Sequence, residues 1–435
     1  MKELFFLVLI FLISQTVFAE ENSQNFEYLY KNDFLTLYGN YRLRYEFYDN
    51  YDILNSNYKT QQSYLLSRLR INLDFNLSKN FVFHTQIQDS EIIDSPVSDK
   101  LYKGKNNPYH DPFDMNEFYF EYKYKNFEFI IGRQNLLFGE RRIFGPGDWG
   151  NTGRYRWDAL RVIYSYNFIE TNFIAGRYIL HDPHIWPDKT YNGVTTLALY
   201  NRFKSLPLEI FWIYKADTSG KVKGESEIGN SYTHFAGLRL VGKHKPWNYD
   251  LILVKEFGDY AGDMVDAYGL VFILGYKFSN LPWQPWLGIQ YVVGSGDKDP
   301  KDGKHQTFDG IFSGADTTLY GGWMQIFFWR NLREHRIEAV LEPSKTQTLR
   351  FEYHYFTLDE EKDAWYSPSG VWRRDKTGKS GKELGHEINF IWNKKFNKTW
   401  DLLLGYSIFF PEEFVKKTGK SNNLSHSFLQ ILFYF

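Results

Sequence analysis

Four arginines at two-residue spacing, Arg42 with Arg44 and Arg68 with Arg70, carry the plainest chemistry in this chain. A spacing of two puts both members of a pair on one face of a strand. If the two strands form a hairpin around segment 48–63, residue 44 faces about 67 and residue 42 about 69, so the guanidiniums share one wall. Guanidinium is permanently charged and binds carboxylate or phosphate through a planar fork. Four of them side by side repel unless something anionic neutralises them. The chemistry implied is reversible anion binding rather than bond-making. Arg161, Arg336 and Arg350 fall on the inward phase of other strands. Glu46, Asp74, Glu117, Glu121, Glu338, Glu352 and Glu387 do so too, so part of this charge is paired internally. The plainer reading is a structural Arg/Glu ladder that stiffens the strands.

A second cluster runs from Gly132-Arg133-Gln134-Asn135 through Gly139-Glu140-Arg141-Arg142, Gly147-Asp148-Trp149-Gly150-Asn151 and Arg154-Tyr155-Arg156-Trp157-Asp158. Glycines permit tight backbone folding, so this segment could fold inward and line a mouth; otherwise it is a solvated surface loop. Arg133 shares its phase with Phe127, Phe129 and Ile131, which aims it outward unless it lies above an apolar band or a bulge turns it. Asp297, Asp299 and Asp302 could offer oxygens to Ca²⁺, but their spacing misses the EF-hand pattern and lysines interleave, so no metal is expected. Ser427 and His426 point to opposite faces of a strand and cannot form a dyad. Phosphate-loop, dinucleotide and HExxH motifs are absent. No enzyme activity and no cofactor are expected.

The elements that position these residues are strands. Period-two alternation recurs from end to end: Leu35, Leu37, Tyr41, Leu43, Tyr45 and Phe47 oppose Thr36, Asn40, Arg42, Arg44 and Glu46. Short turns, such as those near 77–80, 125–126 and 280–282, alternate with longer segments around 48–63, 90–115, 136–156, 181–192, 217–231, 258–265, 294–332, 358–383 and 411–424. Eight turns and nine loops join eighteen strands; sixteen stays open because segments 193–203 and 233–242 have mixed faces. The last strand alternates Leu429, Ile431, Phe433 and Phe435 against His426, Gln430 and Tyr434. This pattern reads as all-β: a transmembrane antiparallel barrel of about 18 strands with short periplasmic turns and long extracellular loops.

Bulk properties agree. Residues 1–19 read as a secretory signal peptide, with Lys2, an apolar stretch from Leu4 to Ile13, and Val17-Phe18-Ala19 before Glu20. Residues 20–435 then form a single barrel domain. The chain has no cysteine, which excludes disulfides and thiolate chemistry, and its net charge of −1 gives no bulk attraction to nucleic acid. Aromatic residues make up 20%, while mean hydropathy is negative, as suits a barrel in which alternate residues meet lipid. The expected location is the outer membrane of a Gram-negative bacterium.

Gly132-Arg133-Gln134, Trp149-Gly150-Asn151, Arg154-x-x-x-Asp158, Gly294-Ser295-Gly296-Asp297, Thr307-Phe308-Asp309, Trp329-Arg330-Asn331, Tyr353-His354-Tyr355-Phe356, Gly385-His386-Glu387 and Gly405-Tyr406-Ser407-x-Phe409 occur in this order. The set resembles the alginate export family of outer-membrane barrels, over nearly the whole chain from about residue 35. The resemblance implies an 18-stranded monomer conducting a polyuronate through an arginine-rich pore. It also implies outer-membrane lipid and periplasmic polysaccharide-secretion proteins as partners. Carried over, the pore-lining set is Arg42, Arg44, Arg68, Arg70, Arg133, Arg161, Arg336 and Arg350, with Arg141, Arg154, Asp158 and Glu387 in second rank. Only Arg133 rests on a motif; the others rest on phase. The chain departs from the family at Phe308-Asp309-Gly310-Ile311-Phe312-Ser313 and Phe410-Pro411-Glu412, both in outer loops, which bears on gating and on which polymer passes. The function expected is passive conduction of an anionic polysaccharide from periplasm to exterior. The alternative is a general or anion-selective porin for small solutes; a plugged structural barrel is a third.

Overall fold

The computed structural model of the chain describes residues 28–54, 58–94, 99, 106–145, 147–153, 155–191, 193–313, 321–367 and 370–435. The leader expected at 1–19 lies outside the described residues, as does Arg154.

Eighteen long strands form one antiparallel sheet. They are β1 (Leu35–Asp49), β2 (Gln61–Ser78), β3 (Phe81–Ile93), β4 (Asp111–Tyr124), β5 (Phe127–Asn135) and β6 (Arg156–Tyr166). They continue with β7 (Ile169–Leu180), β8 (Val194–Phe203), β9 (Leu208–Lys223), β10 (Ile228–His244), β11 (Trp247–Tyr260) and β12 (Asp263–Lys277). The last six are β13 (Trp286–Gly294), β14 (Leu332–Ser344), β15 (Gln347–Thr357), β16 (Glu383–Lys395), β17 (Trp400–Pro411) and β18 (Leu424–Tyr434). Each pairs with its sequence neighbour, and β1 also pairs with β18 (Asn40 opposite Tyr434, Asp49 opposite Ser425), which closes the barrel. At that seam the Gly39 N–H donates to Phe435 O (2.6 Å) and the Phe435 N–H to Gly39 O (3.0 Å). Gly39 has no room for a side chain there, with Arg70 O and the Phe435 ring against its Cα.

The outward faces are apolar and open to the surroundings: Ile131 is 58% exposed and Ile337 63%, with Phe118, Phe120, Phe129, Leu160, Phe173, Phe351 and Phe390 alongside. A continuous exposed apolar band is costly in water and is what hydrocarbon accepts. Tyr124, Tyr166, Phe168, Leu206, Trp247, Trp283, Phe396 and Trp400 cluster at the short-turn end, where amphipathic rings meet headgroups. Among the described residues no helix is long and apolar enough to cross a membrane.

The count of eighteen holds because β8 and β10, the strands with mixed faces, are each paired on both sides. Two expected long loops differ. Segments 217–231 and 258–265 are largely strand, leaving only 224–227 and 261–262 as connections. Their side chains are polar, but hairpin pairing satisfies the backbone whatever the side chains are, so these strands run on beyond the apolar band.

Candidate functional site

The outer loops are numbered L1 to L9 in chain order, so L3 (136–155) joins β5 to β6 and L7 (295–331) joins β13 to β14. The described residues of both fold into the barrel. Leu136, Phe138, Ile143 and Phe144 of L3 and Phe308, Ile311, Phe312 and Trp329 of L7 pack against inward Tyr200, Phe211, Phe235, Ile252, Val271 and Val292 in one apolar cluster. Phe144 and Phe312 stack at 5.3 Å, which locks the two loops together. A second cluster at the outer mouth gathers L1, L7, L8 and L9 through Ile53, Phe327, Trp365 and Phe414, the last on a short helix α1 (Glu413–Thr418).

L3 then reaches the four arginines. Arg42 stands directly opposite Arg68 and Asn40 opposite Arg70, one residue from the register expected. All four guanidiniums are buried, at 2–7% exposure, because L3 covers them. Arg42 donates to Asp148 O (2.8 Å) and Gly150 O (2.9 Å), and Arg44 to Trp149 O (2.7 Å). The Asp148 carboxylate bridges Arg68 (2.7 Å) and Arg70 (2.8 Å). Arg44 also pairs with Glu46 (2.7 Å) and lies over the Trp149 ring at 3.9 Å. Four cations thus face two carboxylates in ion-pair range, and peptide carbonyls supply the remaining acceptors. The far end of L3 holds the opposite wall: Arg142 meets Asp250 (3.4 Å), itself doubly bonded by Arg239 (2.8 Å each). L3 therefore spans the interior from wall to wall.

The remaining arginines differ in setting. Arg161 donates to Asn172 (2.7 and 2.9 Å). Arg336 pairs with Glu338 (3.2 Å) and Glu352 (3.7 Å), and Arg350 with the same two glutamates, so this stretch is the ladder of the plainer reading. Arg133 does not line the interior. Its phase is that of exposed Phe127, Phe129 and Ile131, and at the outer rim it bonds Asp158 (2.9 Å) and Asp188 O (2.6 Å); no bulge turns it. Asp158 shares that outward face. Arg141 occupies a left-handed turn (φ 68°), half-buried. Glu387 is buried beneath L7 and accepts the Met324 N–H (3.4 Å). Arg239, Lys215 and Arg330 were missed. Lys215 and Arg330 clasp Asp309 of L7 (2.9 and 3.6 Å). Arg239 lies on β10, whose mixed faces hid its phase; Arg330 could have been found in its Trp329-Arg330-Asn331 motif.

With the barrel closed and the loops inside, comparison decides the family. The sequence model of the alginate export family matches residues 33–427. The chain belongs to the alginate export family. No curated protein matches it. Among solved structures it is similar to OpdQ of Pseudomonas aeruginosa (TM-score 0.61, 9% identity, 92% of this chain and 98% of that one). It is also similar to OccK8 (OprE) of the same organism (TM-score 0.59, 12% identity, 92% and 98%). At such identity these establish the barrel alone. An alginate export family barrel of this form resides in the Gram-negative outer membrane, and its family and fold are those of a transport channel.

The base of L7 carries a pH-sensitive contact. Burial pushes the Asp297 carboxyl up to about 7, with Asp363 and Glu225 adding to the rise. The Asp297 N–H donates to Asp363 Oδ2 (3.0 Å), which keeps the two carboxyls together. A carboxyl held above its usual 3.8 binds its proton more tightly folded than unfolded, so local stability falls as pH rises between about 4 and 7, by up to about tenfold in the opening constant per pH unit. Hydrogen exchange of 294–299 and 359–367 should slow, after correction for intrinsic rate, from pH 8 to 5.5. Asp297→Asn should remove that dependence; an unchanged dependence in the variant would contradict this account.

Proposed function

We propose that the barrel passively conducts an anionic polysaccharide, an alginate-like polyuronate, from periplasm to exterior along the wall formed by Arg42, Arg44, Arg68 and Arg70. Arg161 extends this wall; Arg336 and Arg350 contribute less because Glu338 and Glu352 neutralise them. Arg133 belongs to the outer rim and lies outside this wall. The observation that carries the reading is what L3 presents to the arginines: one carboxylate shared by two guanidiniums and a run of carbonyl oxygens. A uronate residue offers the same groups, a carboxylate beside oxygens at sugar spacing, and can exchange with the loop site by site. Weak multiple sites of this kind let a polyanion enter and leave. Membership of the alginate export family agrees with this.

The second reading, an anion-selective porin for small solutes, draws on the internally paired Arg336/Arg350 stretch. Bilayer recording with the polymer added from the periplasmic side separates the two. Polyuronate should block ion current at concentrations where neutral dextran of equal length does not. Anion selectivity without polymer block would favour the small-solute reading.

A further inference from the structure

At the outer rim, apart from the arginine wall, Asp111 at the start of β4, His181 just after β7 and Asp188 in L4 come together. His181 Nδ1 lies 2.9 Å from Asp111 Oδ2 and 3.0 Å from Asp188 Oδ2, and the three ligand atoms lie within 4.8 Å of one another. All three residues are buried, at 1–2% exposure. One ring nitrogen facing two carboxylate oxygens is an arrangement a single N–H cannot serve well, whereas a cation between the three atoms serves all of them. From the positions of these three side chains, we infer that Asp111, His181 and Asp188 form a binding site for a divalent transition-metal ion of the Zn²⁺ class.

An independent observation, charge, points the same way. Asp114, 2% exposed, lies against the cluster, one of its oxygens accepting the Asp188 N–H (3.1 Å) and the other accepting no hydrogen bond. Asp111, Asp114 and Asp188 are all buried, and only His181 and Arg133, the latter shared with the partly exposed Asp158, stand within ion-pair range among the described residues, so three buried carboxyls meet at most two cations. Buried charge is stable only when paired or coordinated to metal, and a dication offsets this excess. The donor set is one imidazole and two carboxylates. Imidazole argues against Ca²⁺ and Mg²⁺, which take oxygen, and for Zn²⁺ and its neighbours. The two histidine-to-carboxylate spacings of 2.9 and 3.0 Å are compatible with bonds of about 2.0–2.2 Å to a central ion.

The site would staple L4 to β4, and the staple continues towards the arginine wall. His181 O accepts the Asn107 N–H (3.0 Å), Asn107 O accepts the Thr152 hydroxyl (2.9 Å), and the Asn151 N–H donates to Pro108 O (2.7 Å). Thr152 and Asn151 belong to L3. A bound ion would hold L3 in place without touching an arginine.

The test is Zn²⁺ titration of the full chain in detergent micelles after chelator treatment, with heat-modifiable gel mobility to confirm a folded barrel. One saturable site per chain is expected. It should weaken at least a hundredfold in His181→Gln and in Asp188→Asn, and persist in His110→Gln, which removes the more exposed rim histidine. On the unaltered chain, Co²⁺ should give the visible absorption of a four- or five-coordinate site with nitrogen and oxygen donors. Absence of a saturable site, a site lost in His110→Gln but kept in His181→Gln, or only the pale spectrum of hexaaqua Co²⁺ would each overturn the assignment.

Discussion

Deleting Gly147–Asn151 should raise single-channel open probability by at least about tenfold, with the barrel still folded. These five residues supply the carbonyls and the carboxylate that hold Arg42, Arg44, Arg68 and Arg70. Hydrogen bonds to charged groups contribute roughly 1.5–3 kcal/mol each, so losing several at once outweighs the few kcal/mol that keep an open state minor. The barrel itself should survive, because strand pairing does not pass through L3 and contacts of L3 outside the deleted stretch, such as Arg142 with Asp250 and Phe144 with Phe312, remain. Asp148→Asn is the milder version. It strands Arg68 and Arg70 without their shared carboxylate; with Asp148 itself 29% exposed, the cost falls below the roughly 3–5 kcal/mol of breaking a fully buried pair. Planar-bilayer recording reads both variants. Unchanged gating in the deletion would mean that L3 is not what closes the interior.

In that same deletion background, Arg42→Gln with Arg68→Gln should markedly reduce preference for anions and weaken polyuronate block by about tenfold or more. The two residues are directly opposed across β1 and β2, so their loss empties the centre of the positive wall. The background matters, since arginines that grip both loop and polymer give non-additive effects when altered one at a time. The remaining positive charge near β14 and β15 cannot substitute, being matched by Glu338 and Glu352. Reversal potentials under a KCl gradient measure the first effect and current block the second. Undiminished anion selectivity would place the selective wall elsewhere.

Much of this architecture is legible in the sequence for one reason: a barrel strand faces lipid on one side only, so period-two alternation survives in all spanning segments but β8 and β10. That phase also put Arg42, Arg44, Arg68 and Arg70 on one wall. It could not supply their register, off by one, nor reveal that Asp148, some 80 residues away from Arg68, would sit among them. Phase misleads where strands outrun the membrane. Polar Thr218-Ser219-Gly220-Lys221 looked like loop and is strand, because outside hydrocarbon nothing forces an apolar face. Arg133 shows the converse: its phase was outward, and the motif pulled it inward on paper. Asp111, His181 and Asp188 left no local signature, since they lie on separate segments that meet only once L4 has folded.

The seam between β1 and β18 has a kinetic consequence. Every other pairing in the barrel joins consecutive strands, so it can form as a local hairpin and grow sideways. The seam brings Gly39 against Phe435 and has by far the greatest sequence separation, the kind of contact whose loop-closure cost is met before any reward. Until it forms, β1 and β18 are open edges able to pair with another chain. Arg44 with Gln430, and Glu46 with His426, lie across this junction. The arginine wall is in place once β1 and β2 pair, and closure adds its β18 partners, so a barrel arrested just before closure would hold Arg42 and Arg44 on a free edge.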